Sequence, residues 1–334
     1  MVAPDLIQVD LSLIEALAYN MGLNPIELSP FYNKFKGKKQ KLDQSAEDYF
    51  NSEEGYEILE FLFFPKYKIR YKTGNKEGLV DEFHTLFIEN NDQVVVLMPN
   101  RKEEYVILSF QDKNDYAEWW TNIYCVENDS NEESVQDNKQ GNIFSSVNNT
   151  NELFALIHLM DTYKRMYLES MLNYSTKQYT ALFLESYNET FNLSKNSGDI
   201  RWTLSLLIEM LPDEGDFLNK NTRALVNFLE ENKWIKVWKK DGVEKEIVSF
   251  EPKAIKAAKE FMKIWQGFIG VNLYSFEEDN ISTISRQCIV PTVKSNYLLY
   301  LYPNKKGEMC INSKELTKEQ FLQVKKQWLE SVVS

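Results

Sequence analysis

Any acid–base chemistry in these 334 residues would have to begin at the only two histidines, His84 and His158. His84 stands in the strand-like run EFHTLFI. His158 stands in FALIHLM, flanked by Leu and Met at helical spacing, where a histidine is more often a core residue than a base. Its one acidic neighbour at helical spacing, Asp161, offers at best a local hydrogen bond. No Gly-x-Ser-x-Gly elbow and no Gly-x-Gly-x-x-Gly loop occurs. The nearest Gly-rich loop, Gly74-Asn-Lys-Glu-Gly78, lacks the Lys-Ser/Thr that a phosphate cradle requires. No Cys-x-x-Cys or His-x-x-x-His pair provides transition-metal ligands. The carboxylates, as in NSEEGYE and SFEEDN, read as solvated faces. None stands in an otherwise apolar run where burial would raise its pKa. The expected sets of catalytic, cofactor-binding and metal-binding residues are therefore empty, and the chain does not read as an enzyme.

Composition narrows the alternatives. A net charge of −12 opposes a general nucleic-acid binder and adsorption to an anionic membrane. Three unpatterned cysteines, Cys125, Cys288 and Cys310, fit a reducing cytoplasm. The start, MVAPDLIQVDLSLIEALAYN, lacks the basic and apolar regions of a secretory signal. No window reaches the length of uncharged apolar chain that a membrane-spanning helix needs.

The elements follow from periodicity. LSLIEALAYNMGL (11–23) has helical spacing and a Gly stop. DQSAEDYFNSEEGYEILEFLFF gives one or two helices ended by Pro65. KYKIRYKT (66–73) alternates as a strand should, and EFHTLFIENNDQVVVLMPN reads as a strand pair turning at Asn90-Asn91-Asp92. EEYVILSF (103–110) is a further strand, and DKNDYAEWWTNIY closes as a capped helix. Residues 127–151 are polar and acidic and read as a linker. Residues 152–193 read as strongly helical, 200–211 as another helix, and 252–268 as a helix opened by Pro252.

That order then repeats. IGVNLYSF, ISTISRQCIVPTVKSNYLLYLYPN and GEMCINS give four strands, and TKEQFLQVKKQWLESVV a closing helix. Pro99-Asn100-Arg101-Lys102 lines up with Pro303-Asn304-Lys305-Lys306, and Trp328 looks like a near counterpart of Trp119-Trp120. The expected fold class is α+β: duplicated helix–antiparallel meander–helix units forming a quasi-twofold sheet with helices. The expected division is an N-terminal half over 1–126, a linker over 127–151, and a C-terminal half over 152–334. Within the last, 152–211 is helical and 221–250 reads as helix, strand, Asp241-Gly242 turn and strand, a winged-helix-like insertion. Arg223, Lys233, Lys236, Lys239, Lys240 and Lys245 would serve a DNA-binding wing, but Glu230, Glu231, Asp241, Glu244 and Glu246 are interleaved with them.

The succession of LSLIEALAYNMGL, a helix ending near Pro65, the meander KYKIRYKTGNKEGLVDEFHTLFIENNDQVVVLMPNRKEEYVILSF and DYAEWW resembles the EspG-like cytoplasmic chaperones of type VII secretion. The resemblance covers most of the chain as a pattern and contains no diagnostic motif. It implies a quasi-twofold sheet and a function of binding: holding the apolar tip of a helical secretion substrate or small secreted protein, with no catalysis, no cofactor and no membrane insertion. Off the main apolar stripe of the long helix lie Phe154, Leu159 and Met166. Such extra apolar residues either enlarge the core or form a helix-in-groove surface, and on the second reading the face around Leu159, Met160, Tyr163, Met166 and Tyr167 is the expected partner surface. The alternatives are a winged-helix DNA-binding regulator and a toxin-immunity protein.

Overall fold

The computed structural model describes residues 4–35, 48–74, 80–101, 103–127, 142–173, 180–196, 203–210, 222–261, 268–292 and 294–333. In its first part, β1 (Asp5–Asp10) leads into α1 (Leu11–Met21) and α2 (Glu53–Phe63). The strands β2 (Tyr67–Gly74), β3 (Val80–Phe87), β4 (Val94–Arg101) and β5 (Glu104–Phe110) follow, closed by α3 (Lys113–Tyr124). Caps set the helix starts. The Asp10 carboxylate accepts from Leu13 N at 2.7 Å, and Asp112 accepts from Asn114 and Asp115 N at 2.6 and 2.8 Å. Gly22, in the left-handed region at φ 68°, ends α1 as its position in the sequence indicates.

The middle of the chain is helical with one small sheet. It comprises α4 (Thr150–Leu172), β6 (Ala181–Phe183), α5 (Leu184–Asn196), α6 (Thr203–Met210), α7 (Thr222–Glu231), β7 (Ile235–Lys239), β8 (Glu246–Phe250) and α8 (Pro252–Phe261). The expected helix, strand, turn and strand of 221–250 are present, and Gly242 takes φ 76° in the turn. Two differences from the sequence reading appear. Residues 152–193 are not continuously helical: β6 interrupts them and pairs with β8, giving the order β6-β8-β7. Residues 142–149, expected as linker, are held in place. Phe144 and Val147 are buried and Asn149 bridges to Cys310, because two apolar anchors suffice to pin a polar stretch. Residues 128–141 lie outside the described residues, as do 75–78 of the Gly-rich loop.

The last part repeats the first: β9 (Ile269–Glu277), β10 (Asn280–Pro291), β11 (Asn296–Pro303), β12 (Met309–Leu316) and α9 (Lys318–Val333). Both meanders join in one nine-stranded antiparallel sheet, β1-β5-β4-β3-β2-β9-β10-β11-β12. The register carries the repeat further than the turns did. Pro99 faces Tyr105 across its hairpin as Pro303 faces Met309. At the centre Arg70 faces Asn272; outward, His84 faces Arg70 and Arg286 faces Asn272. The row continues to Leu97 and Ile107 on one side and to Leu301 and Ile311 on the other. A pseudo-twofold axis between Arg70 and Asn272 therefore exchanges Leu97 with Leu301 and Ile107 with Ile311.

Helices cover both faces. One face carries a single apolar core shared by both meanders, with Ile69, Val96, Val271, Ile289 and Leu298 under α3 and α9. On the other face the core is split. Leu86, Val95, Leu97 and Ile107 lie with α1 and α2, whereas Cys288, Val290, Leu299 and Leu301 lie with α4 and α8.

Counted from the caps Asp112 and Thr317, Trp120 falls opposite Lys325, and Trp328 opposite Ile123. Trp328 is thus not the counterpart of Trp119-Trp120. The pair that corresponds is in contact: the Lys325 Nζ lies 4.0 Å from the centre of the Trp120 ring.

Candidate functional site

Neither histidine is placed to act as a base. His158 is buried, with Nε2 3.3 Å from the Tyr187 carbonyl and 3.2 Å from Thr162 Oγ1, and Nδ1 3.3 Å from Ser194 Oγ. Burial pushes it down to about 3. His84 is held well below its ordinary range by burial and then by Lys68, Lys34 and Arg70. Among the described residues no three His, Cys, Asp or Glu side chains are grouped to hold a metal ion, and no helix is long and apolar enough to cross a membrane. The cysteines form no disulfide; burial pushes Cys125 up to about 12 and raises Cys288 further.

One carboxylate overturns the sequence reading. Asp161, inside FALIHLMDTY, is buried, and it turns away from His158 towards the start of α6. Its two oxygens accept from Thr203 Oγ1 at 2.5 Å and from Leu204 N at 3.0 Å, so it caps a helix forty residues away. The apolar run around it was the available signal. Burial pushes Asp161 up to about 6, against Thr203, Leu204 N, Lys164 and Arg165, which favour the carboxylate. The folded state thus holds this proton more tightly than the unfolded chain, whose carboxyl titrates near 3.9. Below about pH 3 both forms are protonated and Asp161 costs no charge burial; above about pH 7 the full penalty of about 3 kcal/mol applies. Relative to Asp161→Asn, the wild type should therefore lose about 3 kcal/mol between about pH 3 and pH 7.5. Denaturant unfolding of both proteins across that range measures it, and a difference independent of pH would contradict it.

The expected partner residues divide. Leu159, Met160 and Tyr163 are buried in the core, and that is a correction. The helix α4 is apolar on every side because α6, α7, α8 and the sheet surround its first half. Met166 and Tyr167 are half-buried and pack against that core. The exposed apolar face begins one residue later. Leu168, Met171 and Leu172 are 45%, 59% and 78% exposed, and Phe183 on β6 and Leu193 on α5 are exposed as well. Spaced at i, i+3 and i+4, the first three form one ridge. Two of the basic residues considered for DNA contact are engaged by acids: Arg223 Nη1 lies 3.1 Å from Glu246 and Lys245 Nζ 2.6 Å from Glu185.

No protein-family model matches this chain. No curated protein matches it either. Among solved structures, it is similar to the Mycobacterium tuberculosis type VII secretion system chaperone EspG5 in complex with the PE25–PPE41 dimer. That similarity has 9% identity and a TM-score of 0.41, over 98% of this chain and 96% of that one.

Proposed function

We propose that this chain is a non-enzymatic chaperone or adaptor of the cytoplasm that holds a helical segment of a client protein. One observation carries the reading: the ridge of Leu168, Met171 and Leu172, exposed at the end of a helix whose first half is core. Burying such a ridge is what an amphipathic helix or its groove does in helix-in-groove recognition. The inert placement of both histidines agrees with a role in binding. Association with type VII secretion is the finer reading. It rests on the order of two helices, meander and helix quoted above, with 1–126 and 152–334 as the two halves.

Co-expression with small helical proteins encoded nearby, followed by size exclusion, tests the reading. One of them should co-elute, and Leu172→Glu should weaken that complex by about thirtyfold or more, the scale of an interface hot spot. The melting temperature should not change, since Leu172 is 78% exposed. Absence of co-elution with any neighbour, or a complex indifferent to Leu172→Glu, would count against it. A toxin that loses activity on co-elution would make the chain an immunity protein instead.

A further inference from the structure

β9 and β11 both run antiparallel to β10, so the β9–β10 and β11–β12 hairpins turn at the same end of the large sheet. Their tips differ in charge. The first exposes Glu277, Glu278 and Asp279, with Glu278 and Asp279 at φ 49° and 60° in a tight two-residue turn. The second exposes Lys305 and Lys306. Its turn is fixed by the Asn304 side chain, which accepts from Lys306 N at 2.8 Å and Glu308 N at 3.0 Å and donates to the Glu308 carboxylate at 2.9 Å. Glu308 offsets one of the two lysines, and the tip stays basic. Glu277, Glu278, Asp279, Lys305 and Lys306 have no salt-bridge partner among the described residues.

The two hairpins also diverge. Pairing of β10 with β11 stops at Arg286 opposite Leu301, although β10 reaches back to Asn280 and β11 runs on to Pro303. A bulge between Thr283 and Ser285 bends β10 at that point, and Pro303 has no N–H with which to extend the ladder. The arms that separate carry large apolar side chains in solvent, Ile281 and Ile284 on one and Tyr302 on the other.

Apolar side chains set between an acidic and a basic tip make a patch that is complementary to itself, as an isologous contact requires. The tips stand two strands apart, about 10 Å at the ordinary spacing. A twofold axis perpendicular to the sheet exchanges left and right, so it lays the acidic tip of one copy against the basic tip of the other. An axis in the plane of the sheet and across its strands would bring like charges together. The net charge of −12 on each copy opposes association at a distance, so the contact depends on this local asymmetry.

We propose that two copies of this chain associate end to end through the β9–β10 and β11–β12 hairpins, each acidic tip on the other copy's basic tip and Ile281, Ile284 and Tyr302 between them. Two pairs of hairpin ends make a small contact, of the transient class below about 1,200 Å². The ridge of Leu168, Met171 and Leu172 takes no part in it, so this inference stands apart from the function proposed above.

Sedimentation velocity over about 5 to 200 µM protein, the range suited to a weak contact, provides the test. The wild type should approach twice the mass of the chain as concentration rises. Lys305→Glu/Lys306→Glu and Glu277→Lys/Glu278→Lys should each raise the dissociation constant by about tenfold or more, because each sets like charges opposite one another at both tips. An equimolar mixture of these two variants should associate again, since one now carries two acidic ends and the other two basic ends. Lys239→Glu/Lys240→Glu makes the same change in net charge on the exposed end of β7 and should alter the constant less than about twofold. Leu172→Glu should leave the dimer intact. A wild type that stays monomeric throughout, a dimer indifferent to both reversals, a mixture that does not associate, or a dimer dissolved by Leu172→Glu would each overturn the proposal. Melting curves confirm the fold of every variant.

Discussion

Trp120→Ala is expected to destabilise the protein by about 3–5 kcal/mol, the cost of deleting a large, fully buried aromatic side chain. Trp120 is entirely buried. Its ring stacks on Phe321 at 5.7 Å and 14°, and lies 4.8 Å from Tyr124 and 5.6 Å from Tyr71. These neighbours come from both meanders, so the cavity would open where α3 and α9 meet over the sheet, and neither side can close it alone. Trp120→Phe should cost much less. It keeps the stack on Phe321 and also removes an indole N–H that is buried with no partner among the described residues. Denaturant unfolding at neutral pH measures both variants. A loss under about 1 kcal/mol for the alanine variant would mean that the shared core relaxes around the void.

Most of the large sheet was legible in the sequence because its strands alternate and its hairpins carry turn residues. The repeat was legible for the same reason: Pro99 and Pro303 do occupy the same place in two hairpins of one sheet. What escaped depends on contacts distant in sequence. β1 is a six-residue edge strand whose outward side is exposed, so its apolar signal is thin. β6 has three residues and exists because β8, more than sixty positions later, pairs with it. Leu159 is buried although it lies off the main stripe, because such a residue signals surface only when the helix has a solvent side, and the first half of α4 has none; Met160 and Tyr163 lie on the stripe itself and are core. The exposed ridge at Leu168, Met171 and Leu172 lies further along the same helix, where its second half meets solvent. The polar row of Lys68, Arg70 and Lys72 was visible as charges alternating through KYKIRYKT, but only the pairing of β2 with β9 places it at the middle of the sheet. In α9, Lys325 stands on the inward stripe with Phe321 and Leu329. That is a polar residue at a core position, and its spacing alone could have marked it.

That lysine yields the second large effect. Lys325 is 6% exposed; its Nζ donates to Tyr71 Oη at 3.1 Å and lies 4.0 Å from the centre of the Trp120 ring and 5.3–5.8 Å from those of Tyr71, Tyr116 and Trp328. Tyr71 and Tyr116 join their hydroxyls at 2.6 Å, and Tyr116 reaches Thr85 at 3.0 Å, so one polar chain runs from α9 through β2 and α3 to β3. Burial pushes Lys325 down to about 7, with Cys125 opposing. The surrounding ring faces favour the ammonium and offset part of the burial cost.

A base whose folded-state pKa is depressed penalises folding most when it is charged in both states, which here is below about pH 7. Between about pH 7 and the unfolded value near 10.4, the unfolded chain binds the extra proton, and stability rises with pH. Lys325→Met has no proton to exchange and fills similar volume, so it should exceed the wild type in stability at about pH 6.5. That advantage should shrink by about 3–4 kcal/mol on going to about pH 10. Unfolding curves of the two proteins at several pH values give the slope directly, free of any constant difference in packing. A gap that stays level from about pH 6.5 to pH 10 would mean that Lys325 remains charged in the fold, with the aromatic cage outweighing the burial. Combined with Trp120→Ala, the substitution should be non-additive, since each removes one partner of the same contact across the pseudo-twofold axis.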